Sequence, residues 1–233
     1  MRKLALLLVC LATGAVASAA DPAVSLGYSD QTILQDPQDD NCSSGMLYYN
    51  NDGSFENAYA WQYGGVMAPY YGAFAEGYDV GDERVVWCVA LWLTQVGYYT
   101  NQTCDVYVWE SDGSNPTNVL GVVTGVLPSG IAYWPSISQH DVDVNVYCPG
   151  AFFVGYWGTW LNSYAPWYCA ADLDGFGGLP RTNIAPGIGY PTGWQDPSII
   201  WGTTQSMGLG GYFGERGSPA QPETWGSIKA LFE

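Results

Sequence analysis

Residues 84–112 constrain the fold of this chain more than any other stretch, because they read as a long strand, a polar turn and a second strand. From 85 to 96 the run is apolar almost without a break, as expected of a strand covered on both faces. The segment that follows alternates. Cys104, Val106 and Val108 share one parity and Asp105, Tyr107 and Trp109 the other, the mark of a strand with one wet face. The spacing predicts a β-hairpin, which is not stable alone in water and needs a second layer.

The rest of the chain supplies that layer. Residues 46–50 and 57–63 flank the turn signal Asn51-Asp52-Gly53-Ser54, and a strand over 71–78 leads through Asp79-Val80-Gly81-Asp82 into the hairpin. Further strands are predicted at 119–126, 131–138 and 141–148. In the last of these Val142, Val144, Val146 and Cys148 face in, while Asp141, Asp143, Asn145 and Tyr147 face out. Residues 151–161 and 167–171 read as a second hairpin, and shorter strands follow near 199–203 and 206–213 in a Gly- and Pro-rich region. No segment before residue 224 has helical periodicity, and there is no internal repeat. Ten or so short strands with turns between them predict an all-β fold: a two-layer antiparallel β-sandwich, jelly-roll-like.

Four segments are expected. Residues 1–20 have a basic start (Arg2, Lys3), an apolar run and the small-residue site Ala17-Ser18-Ala19, which together read as a secretory signal peptide. Residues 21–41 form an extended arm, in which Val24, Leu26, Tyr28, Ile33 and Leu34 are the strand-like positions. The sandwich spans 42–217. A Pro-containing linker and tail, 218–233, fits either a short docked helix or a tail read by export or sorting machinery. No other run is apolar enough to cross a bilayer, so no membrane insertion is expected.

Export would remove two of the six basic residues and none of the 22 acids. A chain so acidic repels phosphate, which argues against nucleic acid as a partner. The acids fit either simple solubility or the binding of multivalent cations. Of the cysteines beyond the leader, Cys88, Cys104, Cys148 and Cys169 are the expected disulfide formers. Cys42, ahead of the first clear strand, is expected to be the odd one, either free or paired between subunits.

At Phe55-Glu56-Asn57-Ala58-Tyr59-Ala60-Trp61, at Gly72-Ala73-Phe74-Ala75-Glu76-Gly77-Tyr78 and through Asp105-Val106-Tyr107-Val108-Trp109 with its Asp-Gly…Asn-Pro turn, the chain resembles a group of uncharacterised secreted β-sandwich proteins of environmental bacteria. It is similar more distantly to jelly-roll modules of surface adhesins and carbohydrate-binding proteins. The resemblance implies a fold and an extracellular or cell-surface location. It implies no site residue.

Catalytic patterns are sparse. There is no nucleophile elbow, and the single histidine, His140, reads as a solvated turn residue, which argues against a histidine-based triad or zinc site. A carboxylate pair acting on a glycosidic bond stays open, but the acids are expected in turns and on outward faces, where nothing raises the pKa a general acid needs. Calcium fits better as a cofactor, because it takes six to eight hard oxygens. Three acidic turns are candidates: Asp36, Asp39 and Asp40; Asp79, Asp82 and Glu83; and Asp172 with Asp174. Asn41 and Asn101 head glycosylation sequons.

Two non-catalytic functions follow. The first is an extracellular subunit that assembles with copies of itself, its 21–34 arm adding as a strand to the next copy. The second is a carbohydrate-binding or adhesive module, in which outward Tyr107, Trp109 and Tyr147 meet a glycan beside Asp105 and Asn145. The same residues would serve a subunit contact.

Overall fold

In the computed structural model, which describes residues 22–29, 32–35, 42, 45–61, 72–97, 102–158 and 167–215, the chain is almost entirely strand. The first strands are β1 (Ala23–Ser25), β2 (Thr32–Gln35), β3 (Met46–Tyr49), β4 (Asn57–Trp61), β5 (Ala73–Tyr78) and β6 (Arg84–Thr94). Next come β7 (Cys104–Ser111), β8 (Pro116–Val126), β9 (Ser136–Cys148), β10 (Phe152–Gly158), β11 (Tyr168–Asp172), β12 (Pro180–Ile184) and β13 (Gly193–Gln195). One helical turn, α1 (Ser198–Trp201), precedes β14 (Ser206–Met207) and β15 (Leu209–Gly214). The turn replaces the strand expected near 199–203. The strands missed by the sequence pattern, β12 and β13, are five and three residues long and lie in the Gly- and Pro-rich region, where period-2 alternation hardly registers.

The strands form two sheets packed face to face. One has the order β13-β12-β5-β10-β7-β8. In the larger sheet β6 is central, with β9 on one side and β15 and β11 sharing the other. That placement explains why β6 is apolar throughout. Val89, Leu91 and Leu93 enter the core between the sheets, while Cys88, Ala90 and Trp92 join a second apolar cluster on the opposite face.

The expected hairpins at 84–112 and 151–171 are not formed. β6 and β7 lie in different sheets, as do β10 and β11. A strand apolar on both faces is satisfied by neighbours in its own sheet, and between β4 and β11 the chain changes layer at every connection but the β7–β8 hairpin. True hairpins join β7 to β8 and β12 to β13. At the first, the Asp112 carboxylate accepts from the amides of Ser114 (2.8 Å) and Asn115 (2.7 Å). The alternation read in 141–148 is present along β9. It is interrupted by a bulge that sets Asn145 at φ 48°, a conformation asparagine tolerates better than most residues.

The arm stays with its own domain. β1 pairs antiparallel with β4, and β2 runs parallel beside β9. Asn57 Oδ1 fastens the first piece, accepting from Ser25 Oγ (2.9 Å) and the Gly27 amide (3.0 Å). Val24 and Leu26 pack on the main core and Ile33 on the second cluster, whereas Tyr28 is exposed. Residues 22–29 and 32–35 are therefore part of the sandwich rather than a separate segment. The 218–233 tail lies outside the described residues.

Polar bonds tie the layers together. Trp61 Nε1 donates to Thr182 Oγ1 (2.6 Å), the Tyr78 hydroxyl donates to the Leu209 carbonyl (2.8 Å), and the Met207 amide donates to Glu76 (2.8 Å).

Candidate functional site

The outer face of the six-stranded sheet carries a cluster of large rings. Strand register sets it up: Arg181, Ala75, Gly155, Tyr107 and Val122 form one row across β12, β5, β10, β7 and β8. Asn183, Ala73, Trp157 and Asp105 form the next. Ala73, Ala75 and Gly155 leave a low bed in the middle of the sheet, and aromatic side chains fill it. Tyr107 stacks on Trp109 with centroids 4.9 Å apart. Trp194, opposite Asn183 on β13, leans over the bed to within 5.3 Å of Trp109 and 6.0 Å of Trp157. Trp109, Phe153 and Ala75 are buried; Tyr107, Trp157, Trp194 and Leu179 are only partly covered.

The parity read for β7 is thus correct, but its second face is not simply wet. Trp109 is 3% exposed, because rings large enough to touch across strands cover one another. Asp105 accepts from the Gly125 amide at 2.9 Å and sits at the edge of this cluster. Asn145 and Tyr147, both exposed, project from the outer face of the other sheet. The five expected contact residues therefore divide between two sides of the molecule. Trp157 and Trp194 were missed: the first lay in an apolar run that hid its parity, the second on a strand of three residues.

A second constellation lies at the end of β4, β11 and β14. Glu56, Asp172 and Asp174 bring carboxylate oxygens within 4.8 Å of one another. Asp172 accepts amide hydrogen bonds from Asp52 (3.0 Å), Asp174 (3.1 Å) and Gly175 (2.7 Å), and Glu56 accepts one from Leu173 (2.8 Å). Burial holds the Asp172 carboxyl above its ordinary value despite those donors. Sequence alone found Asp172 and Asp174. Glu56 is more than a hundred residues away, and no local pattern marks it. Of the other expected calcium turns, Asp36, Asp39 and Asp40 lie outside the described residues, as do Asn41 and Asn101. Asp79, Asp82 and Glu83 do not converge: Asp79 accepts from the Gly81 amide (3.1 Å) and Asp82 lies 3.9 Å from Arg84.

Other titratable groups are buried. Glu76 is fully enclosed between the sheets, and burial pushes its carboxyl up to about 7. It overturns the expectation that every acid lies in a turn or faces outward. Its signal was legible, since Phe74, Glu76 and Tyr78 share one parity and its neighbours there are core residues. His140 is no turn residue. It lies within β9, 7% exposed, with Nε2 2.7 Å from Ser138 Oγ, because β9 begins earlier than the alternating segment. The cysteines also differ from expectation. Cys42 pairs with Cys88, while Cys104, Cys148 and Cys169 are free and buried. Burial pushes the Cys104 and Cys148 thiols up to about 12 and holds the Cys169 thiol well above its ordinary value.

No family model, curated protein or solved structure matches the chain.

Proposed function

We propose that the chain is an exported, non-catalytic β-sandwich that binds a neutral glycan through the aromatic face of its six-stranded sheet. The observation that carries this reading is the partly covered group of Tyr107, Trp157 and Trp194 around buried Trp109, bordered by Asp105, Asn183 and Arg181. Sugar rings present apolar C–H faces and hydroxyl edges. Aromatic side chains stack on the former, and amide, carboxylate and guanidinium groups bond the latter. A strongly acidic chain favours an uncharged polysaccharide over an anionic one. The leader-like first twenty residues support export, and so does the Cys42–Cys88 bond.

Retention on insoluble neutral polysaccharides tests the reading. Trp194→Ala is expected to weaken binding by about ten-fold, the scale of one lost aromatic contact. Equal retention of the variant and the parent, or no retention of either, contradicts the proposal.

Self-assembly is the second reading, supported by β8. This strand is terminal in its sheet, eleven residues long and without a charge. Val119 and Val122 are exposed on it. Sheet edges are usually protected by charge, above all lysine. Strand addition at β8 leaves β1 and β2 in their places beside β4 and β9, whereas arm exchange would have to release them. Val122→Lys is expected to shift any oligomer to monomer in sedimentation velocity; an unchanged distribution counts against edge pairing.

A further inference from the structure

The carboxylate corner of the larger sheet carries a feature that its own hydrogen bonds do not explain. Ser206 is fully buried, and its hydroxyl has no hydrogen-bond partner among the described residues. It stands directly opposite Asp172 in the β11–β14 ladder, so both side chains leave the same face of the sheet. Glu56, one residue before β4, joins them from the neighbouring strand, since Asn57 is already opposite Ala171. A buried hydroxyl without a partner among the described residues thus stands on the sheet face that carries Asp172 and Glu56, beside the three-carboxylate group.

Charge is the second consideration. Glu56 and Asp172 are both buried. Arg84 and Arg181, the basic side chains among the described residues, are engaged elsewhere: Arg84 lies 3.9 Å from Asp82, and Arg181 bonds Asn115 (3.1 Å) and the Pro180 carbonyl (2.7 Å). Negative charge so concentrated and enclosed calls for a cation. The spacing suits one. Oxygens up to 4.8 Å apart are what a single ion spans when each bond is about 2.4 Å, the calcium–oxygen distance.

We propose that Glu56, Asp172 and Asp174, with Ser206 Oγ, form a calcium site that joins β4, β11 and β14. All four donors are hard oxygens, with no imidazole or thiolate among them, which favours calcium over zinc. The amides that bond Asp172 and Glu56 fix those carboxylates in place. Asp174, exposed and accepting no side-chain or amide bond among the described residues, completes the site from the solvent side and leaves room for water ligands. A role in stability follows, because an ion bound only by the folded state stabilises it by mass action.

The test is thermal unfolding of the purified chain in chelator, then in millimolar calcium and in millimolar magnesium, with isothermal calorimetry of calcium binding. The parent is expected to bind about one calcium per chain and to melt at higher temperature in calcium than in chelator. Asp174→Asn, at an exposed position, is expected to weaken binding by at least about ten-fold. Ser206→Ala separates a ligand from a packing role. It removes an unsatisfied buried hydroxyl, so the chelated protein is expected to melt no lower than the parent, while its calcium-induced rise shrinks. No calcium-dependent rise in the parent, or an undiminished rise in Asp174→Asn, overturns the proposal.

Discussion

Glu76→Ala is expected to destabilise the fold by about 3–5 kcal/mol, a drop on the order of 10 °C in melting temperature. Three donors converge on this carboxylate: the Leu179 amide (2.7 Å), the Asn50 side chain (2.8 Å) and the Met207 amide (2.8 Å). They come from β14, from the residue just before β12 and from the loop between β3 and β4. Truncation leaves the Leu179 and Met207 amides without an acceptor, while Asn50 keeps only its bond to the Gly77 carbonyl (3.1 Å), and each buried orphan costs about 1–3 kcal/mol. The surroundings are built to this side chain: a Cβ at Gly178 would run into Glu76 Oε1 and Asn50.

The same group gives the fold a pH dependence of defined sign. Its folded carboxyl titrates at about 7, above the usual carboxylate range, so the folded state keeps a proton that the unfolded chain has already lost. The stability it contributes is fully present below the ordinary glutamate pKa and is lost as pH rises through about 7. The full span is roughly 3 kcal/mol. Urea midpoints between mildly acidic and mildly alkaline pH measure this, and Glu76→Gln is expected to flatten the profile. An identical profile in the variant assigns the dependence to other groups.

Cys88→Ser is the second change with a large expected effect. The Cys42–Cys88 bond closes a loop across a sequence separation of 46, which corresponds to about 4 kcal/mol of chain entropy. The bond ties the chain after β2 to the centre of β6, beneath Phe55 and Trp92. Reductant is expected to lower the unfolding midpoint of the parent and to leave Cys88→Ser unaffected. Thiol labelling gives an independent check, since Cys104, Cys148 and Cys169 are buried with raised pKa values and should react only on unfolding. Rapid labelling of Cys42 in the native, unreduced protein would contradict the pairing.

Which parts of this were legible in the sequence follows from how far each signal reaches. Period-2 alternation is local, so β7 and β9 could be read residue by residue, including which face each side chain joins. The all-β class followed from the same signal repeated along the chain. Pairing is non-local. Nothing within residues 84–112 says that β6 and β7 belong to different sheets, or that β6 sits between β9 and β15. Alternation also reports a face and not its wetness, and for that reason Trp109 was expected at the surface. Cys42 shows the same limit: its partner lies on the central strand, and proximity to the first strand signal was no guide to pairing. The candidate calcium site was half legible. Asp172 and Asp174 announce an acidic turn, but Glu56 and Ser206 reach it only through the register of β4 and β14 with β11. Glu76 is the reverse case, a carboxylate at a core parity, readable from Phe74 and Tyr78 on either side.

If the molecule acts as proposed, it does so through the aromatic face of its six-stranded sheet. Indole N–H resonances report on that face directly, because its tryptophans can be assigned one by one by substitution. Titration with soluble oligomers of neutral polysaccharides is expected to shift the signals of Trp157 and Trp194 saturably, while Trp92 and Trp201, packed on the larger sheet, stay in place. Saturable binding that leaves Trp157 and Trp194 unmoved, or no binding across the panel, would contradict it.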